Sequence, residues 1–156
     1  MNKLKKTILF LLLVGSINNT YSQNFSKRKV NDLKSHAAKL VEEDKKMTQV
    51  MIDKVFSFGE LGFQEFETSK YLSNILEENG FELQYNISDI PTSWLATWSN
   101  GSGGPVIALG SDFDGVPSTS QYPGVAYEKP VVEGAPGHGE GHNIGLPIVI
   151  TAALSI

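Results

Sequence analysis

Hydrophobic residues recur at helical intervals along the first half of the chain. From Val30 to Phe58 they follow one another mostly at steps of three, four or seven, and charged residues fill the other face. The pattern predicts one long amphipathic surface helix over residues 24–58. A second helix is predicted over residues 65–79, with Gly80 as its left-handed C-terminal cap and Phe81 as the apolar contact that accompanies such a cap.

Alternation of apolar and polar residues predicts strands in the second half. Residues 81–87 and 92–99 alternate, as half-buried strands do, and residues 105–110 form a continuous apolar run typical of a sheet interior. A last helix is predicted from about Ile144, with Asn143 as its cap. Two helices before the three strands and one helix after them predict an α/β or α+β fold, in which helices cover at least one side of the sheet.

Composition narrows the class of protein. The length of 156 residues suits one domain, and 40% hydrophobic residues predict a packed core. The absence of cysteine excludes disulfides and thiolate metal sites. The chain carries a formal net charge of −4. An acidic chain disfavours nucleic acid and anionic membranes as partners and suits small molecules or metal ions.

The first 22 residues have the pattern of a secretory signal. Three lysines precede the apolar run Ile8–Val14, and small residues precede a cleavage site between Ser22 and Gln23. The alternative, a membrane anchor, needs an apolar run of about 20 residues. We therefore expect a secreted or periplasmic protein without a membrane partner after cleavage, and a mature chain three units more negative because it loses three lysines and no acid.

Asp112 and Asp114 directly follow the predicted inner strand. In open α/β sheets, binding sites form at the carboxyl ends of strands. The i, i+2 spacing points both carboxylates the same way in an extended backbone, where their repulsion is relieved by a cation or a proton. The alternative is a solvated pair of turn aspartates.

His138, Glu140 and His142 alternate with glycines in residues 134–143. Imidazole and carboxylate ligands suit zinc or another divalent first-row ion, and glycine allows close approach of the backbone. The alternative is a flexible glycine loop with incidental histidines. The loop over residues 118–133 has no clear period, and its residues Tyr122, Tyr127 and Glu128 either line a substrate cleft or only pack the loop down.

Three segments in this order resemble the amidohydrolase branch of the aminoacylase and carboxypeptidase zinc metallopeptidases. They are Gly59–Glu65, Asp112–Pro117 and Gly137–Asn143, and the resemblance covers roughly residues 30–156. It implies the N-terminal part of a zinc-exopeptidase-like catalytic domain, an α/β fold with a mixed sheet flanked by helices. It also implies hydrolysis of an amide bond in small N-acyl or aminobenzoyl amino acids or dipeptides.

The resemblance assigns roles to five residues. His142 matches a metal-binding histidine, and Glu140 stands where many relatives have a metal-binding cysteine. Asp114 matches an aspartate that supports the catalytic metal site, and His138 matches a supporting histidine. Asp112 occupies a position that is a metal-binding histidine in the peptidase branches, so we expect it to be a ligand. The cofactor implied is zinc, with manganese as the alternative.

The resemblance also implies that residues 23–156 are one part of a longer catalytic domain whose full-length form is a homodimer. The general base, the remaining ligands and the dimerisation domain are then expected outside this chain, which would be inactive alone. Two observations support this expectation. The chain offers too few ligands for a catalytic metal site, and its apolar final helix must be covered by other residues. The competing hypothesis is a secreted non-catalytic remnant that binds metal or a small ligand.

Overall fold

The computed structural model describes residues 25–156, and the predicted signal segment with its cleavage site before Gln23 lies outside them. Three helices and two strands follow in the order α1 (Lys27–Phe58), α2 (Phe66–Glu78), β1 (Glu82–Tyr85), β2 (Trp94–Thr97) and α3 (His142–Leu154). The described chain therefore mixes helices with a small antiparallel sheet, which is compatible with part of an α/β fold. Within residues 25–156, no helix combines the length and the apolar character needed to cross a membrane.

Helix α1 confirms the predicted long helix, but only its C-terminal half contributes to the core. Residues 34–156 form the second of two units into which the chain divides, and α1 begins before residue 34. In the second unit, Met51 and Val55 on α1 are fully buried, whereas Val41 and Val50 are 44% and 41% exposed. The apolar periodicity of α1 thus extends beyond the part of the helix that is covered.

The hydrophobic core is formed by facing residues of the three helices. Its buried members are Met51, Val55, Leu72, Leu76, Leu146 and Ile150. Burying side chains of this size stabilises the fold by roughly 1.5–3 kcal/mol each. Hydroxyl groups of Thr48 on α1 and Thr151 on α3 lie 2.7 Å apart beside this core, so the two helices also share a hydrogen bond.

The end of α2 has the predicted glycine cap. Gly80 has a φ of +85°, and its N–H donates to the carbonyl of Glu77 at 3.0 Å. The N–H of Phe81 donates to the carbonyl of Leu76 at 3.1 Å, and the Phe81 ring packs against the core. These two bonds form a Schellman motif, because they satisfy carbonyls left free at the end of the helix.

Strands β1 and β2 confirm the two alternating segments and pair antiparallel, with Leu83 opposite Ala96. Both strands are shorter than predicted, and β1 ends before Ile87, which belongs to a short 3₁₀ turn, Ile87–Asp89. Beside the sheet, the rings of Trp94 and Phe113 stack with centroids 6.4 Å apart. This stacking places the segment that contains the paired aspartates next to β2.

The prediction of a third strand over residues 105–110 is wrong. This segment has no strand partner in the described chain, and its side chains are exposed to solvent: Val106 is 97% exposed and Ile107 is 65% exposed. An apolar run can show that a segment favours extended backbone, but pairing needs a neighbouring strand. Between residues 25 and 156 the sheet contains β1 and β2 only.

Helix α3 begins earlier than the sequence predicts. Its cap is Gly141, with a φ of +98°, and His142 is its first residue. Asn143 lies inside the first turn and is buried, so the prediction that it caps a helix starting at Ile144 is wrong. The left-handed backbone at Gly141 explains the shift, because glycine enters that conformation without a Cβ clash.

Candidate metal centre

The two segments with metal-capable residues are joined by a short bridge. Val116 and Gly137 exchange backbone hydrogen bonds of 2.8 and 3.1 Å. The Thr119 hydroxyl also lies 2.8 Å from the carbonyl oxygens of both residues. A Cβ on Gly137 would lie 2.5 Å from the Thr119 carbonyl oxygen, so only glycine fits at this junction. The bridge therefore holds residues 112–116 against residues 137–142.

Glu60 connects the aspartate segment to the start of α2. Its backbone carbonyl accepts a 2.6 Å hydrogen bond from the N–H of Gly115. Its carboxylate accepts bonds from the N–H groups of Glu67 and Thr68 and from the Thr68 hydroxyl, at 2.7–3.0 Å. The two N–H groups are donors that the first turn of a helix leaves free, so one side chain caps α2 while its backbone fixes the loop.

His142 lies between the two aspartates. Its Nε2 atom is 3.2 Å from Oδ1 of Asp112, and its Nδ1 atom is 3.0 Å from Oδ1 of Asp114. One ligand atom from each of these three residues lies within 4.8 Å of the others, which makes them a candidate metal-binding group. The side chain of His142 is 29% exposed and that of Asp112 is 70% exposed, so the group opens to solvent.

The contacts of Nδ1 determine which nitrogen is free to bind a cation. Nδ1 also lies 3.1 Å from the carbonyl oxygen of Asp114, and a carbonyl only accepts hydrogen bonds. Nδ1 therefore carries a hydrogen that it donates to Asp114. Nε2 of the neutral ring is then an acceptor that faces Asp112. A carboxylate that orients a ligating histidine through its other nitrogen is the usual arrangement around a protein-bound metal.

The same contacts change the acidity of His142. Partial burial lowers its pKa, but the hydrogen bond to the Asp114 carbonyl and the charges of Asp112, Glu140 and Asp114 raise it more. The net effect is a pKa above the ordinary histidine value. A carboxylate-rich site that attracts a proton to an imidazole also attracts a divalent cation to the same place.

Glu140 lies at the edge of the three-residue group. One of its carboxylate oxygens is 3.5 Å from Nδ1 of His142 and 3.4 Å from Nδ1 of His138. The side chain of His138 is completely buried, and its Nε2 lies 3.0 Å from the carbonyl oxygen of Val55 on α1. Because that carbonyl only accepts, Nε2 is a donor, and His138 anchors the glycine-rich loop to α1.

The residues present fit a divalent metal ion. Two aspartates and one histidine converge, and Glu140 supplies a further carboxylate within reach of His142. Carboxylates favour harder ions such as manganese, while imidazole suits zinc, so this donor set accommodates both. Metal-free, the group places two negative charges beside one imidazole, an arrangement that a cation stabilises.

The structure brings Asp112, Asp114 and His142 together, places Glu140 at the edge of this group, and holds the buried His138 against α1. The sequence pattern indicates no individual role for Glu60, Phe63 or Glu65, although all three lie in the Gly59–Glu65 segment that carries part of the resemblance. The feature that marks them in the sequence is an interruption between two predicted helices that contains glycines and glutamates. Tyr127 and Glu128 of the 118–133 loop line a separate cavity of about 650 Å³, and neither Tyr122 nor the metal group is part of its lining.

Comparison with known proteins supports a hydrolase relationship. Over 116 residues, 74% of its length, the chain is 33% identical to a p-aminobenzoyl-glutamate hydrolase subunit from Escherichia coli (strain K12). The chain covers 24% of that curated relative, or about a quarter of its length. No family model matches the chain, and no solved structure matches it. Over most of its own length, the chain is thus similar to a hydrolase whose name agrees with the resemblance carried by its three segments.

Proposed function

We propose that this chain is the N-terminal part of a metal-dependent amidohydrolase of the aminoacylase and carboxypeptidase metallopeptidase family. The observation that carries the proposal is His142, whose two ring nitrogens face Asp112 and Asp114 at 3.2 and 3.0 Å. The 33% identity to a hydrolase supports the same proposal. In this proposal, residues 23–156 belong to a zinc-exopeptidase-like catalytic domain with a larger mixed sheet.

The proposed ligands are Asp112, Glu140 and Nε2 of His142. Asp114 serves the catalytic site as a positioning residue, because its carboxylate and carbonyl fix the ring of His142 through Nδ1. His138 supports the loop that carries Glu140, because its Nε2 donates to the carbonyl of Val55 on α1. We propose zinc as the ion and manganese as the alternative, since both suit a mixture of imidazole and carboxylate ligands.

When bound, such an ion polarises the amide carbonyl and lowers the pKa of an attacking water. The residues of this chain supply the negative charge that holds the ion and the hydrogen bond that orients His142. None of the glutamates described above is proposed as the general base, because Glu60 caps α2, Glu65 is buried against Thr92, and Glu140 is a proposed ligand. We propose that the base and the remaining ligands belong to other parts of the full-length protein, so this chain alone is inactive.

The proposed substrates are small N-acyl or aminobenzoyl amino acids, or dipeptides. The similar protein is named for its action on p-aminobenzoyl-glutamate, which makes that compound the first to test. The homodimer expected from the family remains a proposal. The name of the relative calls it one subunit of a hydrolase, which favours an assembly with a second kind of chain.

The activity is tested on the full-length protein with p-aminobenzoyl-glutamate, by measuring release of p-aminobenzoate. Dialysis against a chelator should abolish hydrolysis, and zinc or manganese should restore it. Calcium, which prefers six to eight oxygen ligands, is the control ion and should not restore it. Full activity in metal-free protein would contradict the proposal.

A separate experiment tests the ligands in the 156-residue chain. Zinc and manganese binding are measured by isothermal titration in the unaltered chain and in His142→Ala and Glu140→Ala variants. Both variants should bind less metal. Undiminished metal binding in both would refute the ligand assignment. Metal binding by the chain, together with a full-length protein that hydrolyses nothing, would instead favour the non-catalytic metal-binding alternative.

We also propose export, because residues 1–22 have the pattern of a secretory signal. N-terminal sequencing of material collected outside the cytoplasm should begin at or near Gln23. Exported protein that retains Met1 would contradict cleavage.

A further inference from the structure

A small cavity of about 280 Å³ opens directly beside the candidate metal group. Asp112 and Asp114 form part of its wall, which the segment before α2 and the turn before β2 complete. The side chains that matter for its chemistry are Phe63, Glu65, Ile90, Thr92 and Phe113. The cavity therefore combines apolar surface with a few polar groups, next to the place where the proposed reaction occurs.

Glu65 is the unusual group in this wall. Only 7% of its surface is exposed, and Oε2 accepts a 2.7 Å hydrogen bond from the hydroxyl of Thr92. Among the described residues, no hydrogen bond reaches Oε1, and no lysine, arginine or histidine forms an ion pair with the carboxylate. Oε1 is not among the fully buried atoms, so it can be reached from the cavity with its acceptor capacity unused. A hydrogen-bond donor on a ligand would meet it.

Phe63 provides a second, independent observation. Its φ of +65° lies in the left-handed region, and its ring is 67% exposed at the cavity. A large non-glycine residue in that conformation is strained, and such strain concentrates at ligand-binding sites. The exposed ring gains nothing from the core in return. Its position in a cavity wall that Ile90 and Phe113 also line suits stacking against a planar ligand.

We propose that this cavity binds an aromatic ring that carries a hydrogen-bond donor, with Glu65 as the acceptor and Phe63 as the stacking surface. Resting on the proposed function, the inference identifies the ring as the aryl part of an aryl amide whose amide group lies toward Asp112 and Asp114. An arylamine is such a ring. It offers N–H donors and remains neutral at pH 7, so it enters the cavity without the cost of removing an ionised group from water.

The experiment uses three neutral probes with the metal-free 156-residue chain. The probes are 4-aminobenzamide, 4-methylbenzamide, which replaces the amino group by a methyl group of similar size, and benzamide. Binding is followed by ligand-observed NMR up to about 10 mM, the range expected for fragments of this size. Trp94 fluorescence is a second readout because its ring stacks on Phe113.

We expect 4-aminobenzamide to bind about tenfold more tightly than 4-methylbenzamide, because a hydrogen bond to a charged acceptor is worth about that factor. Glu65→Gln should reduce the preference to about twofold or less, since the carboxylate charge is lost while the volume is kept. Glu65→Met, which removes the acceptor, should remove the preference. The matched control is Glu67→Gln on the exposed side of α2, which should preserve it.

Phe63→Gly separates a binding role from a structural one. The substitution relieves the left-handed backbone, so the chain should unfold at the same or a higher urea concentration. All three probes should nevertheless bind several-fold more weakly, because the stacking surface is gone. A residue that merely supported the fold would lose stability when replaced.

Several results would overturn the inference. These are the absence of saturable binding of 4-aminobenzamide, equal affinity for 4-aminobenzamide and 4-methylbenzamide, and an unchanged preference in folded Glu65→Gln or Glu65→Met chains. The measurement needs neither metal nor hydrolysis, so it stands apart from the test of the proposed activity. A full-length protein without hydrolase activity would refute the proposed function even where the probes bind as expected.

Discussion

The imidazole of His142 is held by Asp114 through a single ring nitrogen, Nδ1, which lies 3.0 Å from the carboxylate and 3.1 Å from the carbonyl oxygen of that aspartate. The two residues are 28 positions apart in the chain. One aspartate thus supplies both a charge and a backbone acceptor to the same donor. This double contact leaves Nε2 directed at Asp112 and makes Asp114 the residue that sets the tautomer of the ring.

Removing the charge of Asp114 should weaken metal binding without unfolding the chain. We expect Asp114→Asn to lower the affinity for zinc by about 10- to 100-fold, the usual cost of losing a carboxylate that orients a ligating histidine. Competition titration with a chromophoric chelator measures it. Asp53→Asn, at an exposed position on α1, is the matched control and should change nothing. Equal zinc affinity in the Asp114 and Asp53 variants would show that Asp114 does not orient His142.

The protonation of His142 should couple metal binding to pH. Its pKa is raised in the folded chain, so a proton competes with the metal at higher pH than for an ordinary histidine. As the solution is acidified, the metal affinity should therefore begin to fall while the pH is still above about 6.5, the ordinary pKa of histidine. An NMR titration of the His142 ring in metal-free protein gives the pKa directly. A value at or below that of a model histidine would be contrary to the expectation.

The same shift predicts how the stability of the metal-free chain depends on pH. A histidine with a raised pKa stabilises the folded state when it is protonated. That contribution is complete below the unfolded-state pKa and is lost as the pH rises through the folded-state value. Urea unfolding between pH 5 and 8 should show a loss of stability with rising pH that His142→Gln removes. An identical pH profile in both proteins would argue against the raised pKa.

Gly137 should tolerate no side chain. A Cβ there would lie 2.5 Å from the Thr119 carbonyl oxygen, and the atoms it would meet are all backbone, which cannot move aside as a flexible side chain can. Gly137→Ala should lower the free energy of unfolding by about 1–3 kcal/mol, as overpacking does elsewhere. It should also weaken metal binding, because the Val116–Gly137 bridge holds the two ligand segments together.

The control for that substitution is Gly104→Ala. A Cβ at Gly104 would meet nothing within 4 Å, and its φ is not positive. Its free energy of unfolding, measured in urea, should stay the same or rise by up to about 1 kcal/mol. Equal effects of the two substitutions would show that the bridge is not tightly packed.

Glu60 should stabilise α2 through its carboxylate. Three hydrogen bonds from the first turn of the helix end on it, so Glu60→Ala should cost about 1–2 kcal/mol of unfolding free energy. Glu78→Ala, at an exposed position in the last turn, is the control and should stay within about 0.5 kcal/mol. Thermal unfolding followed by circular dichroism compares them. If Glu60→Ala were as stable as the control, the cap would contribute nothing.

Local features of the fold were predictable because they depend on neighbouring residues. The periodicity of α1 and α2 and the glycine cap at Gly80 require only interactions within a few positions. The alternation that marks β1 and β2 is also a local pattern, and these two strands are each other's partners across a short connection. The apolar run at 105–110 is predicted as a strand but does not form one, because strand formation depends on a partner strand that a local pattern does not specify.

The sequence by itself determined which residue types are available for chemistry: paired aspartates after an apolar run, and histidines and a glutamate spaced by glycines. Only the tertiary structure decided that Nδ1 of His142 faces Asp114 while Nε2 faces Asp112. It also placed buried Glu65 in the wall of a cavity beside them. The physical reason is distance along the chain: contacts between residues 28 or more positions apart form only when packing and backbone bridges close the intervening loops.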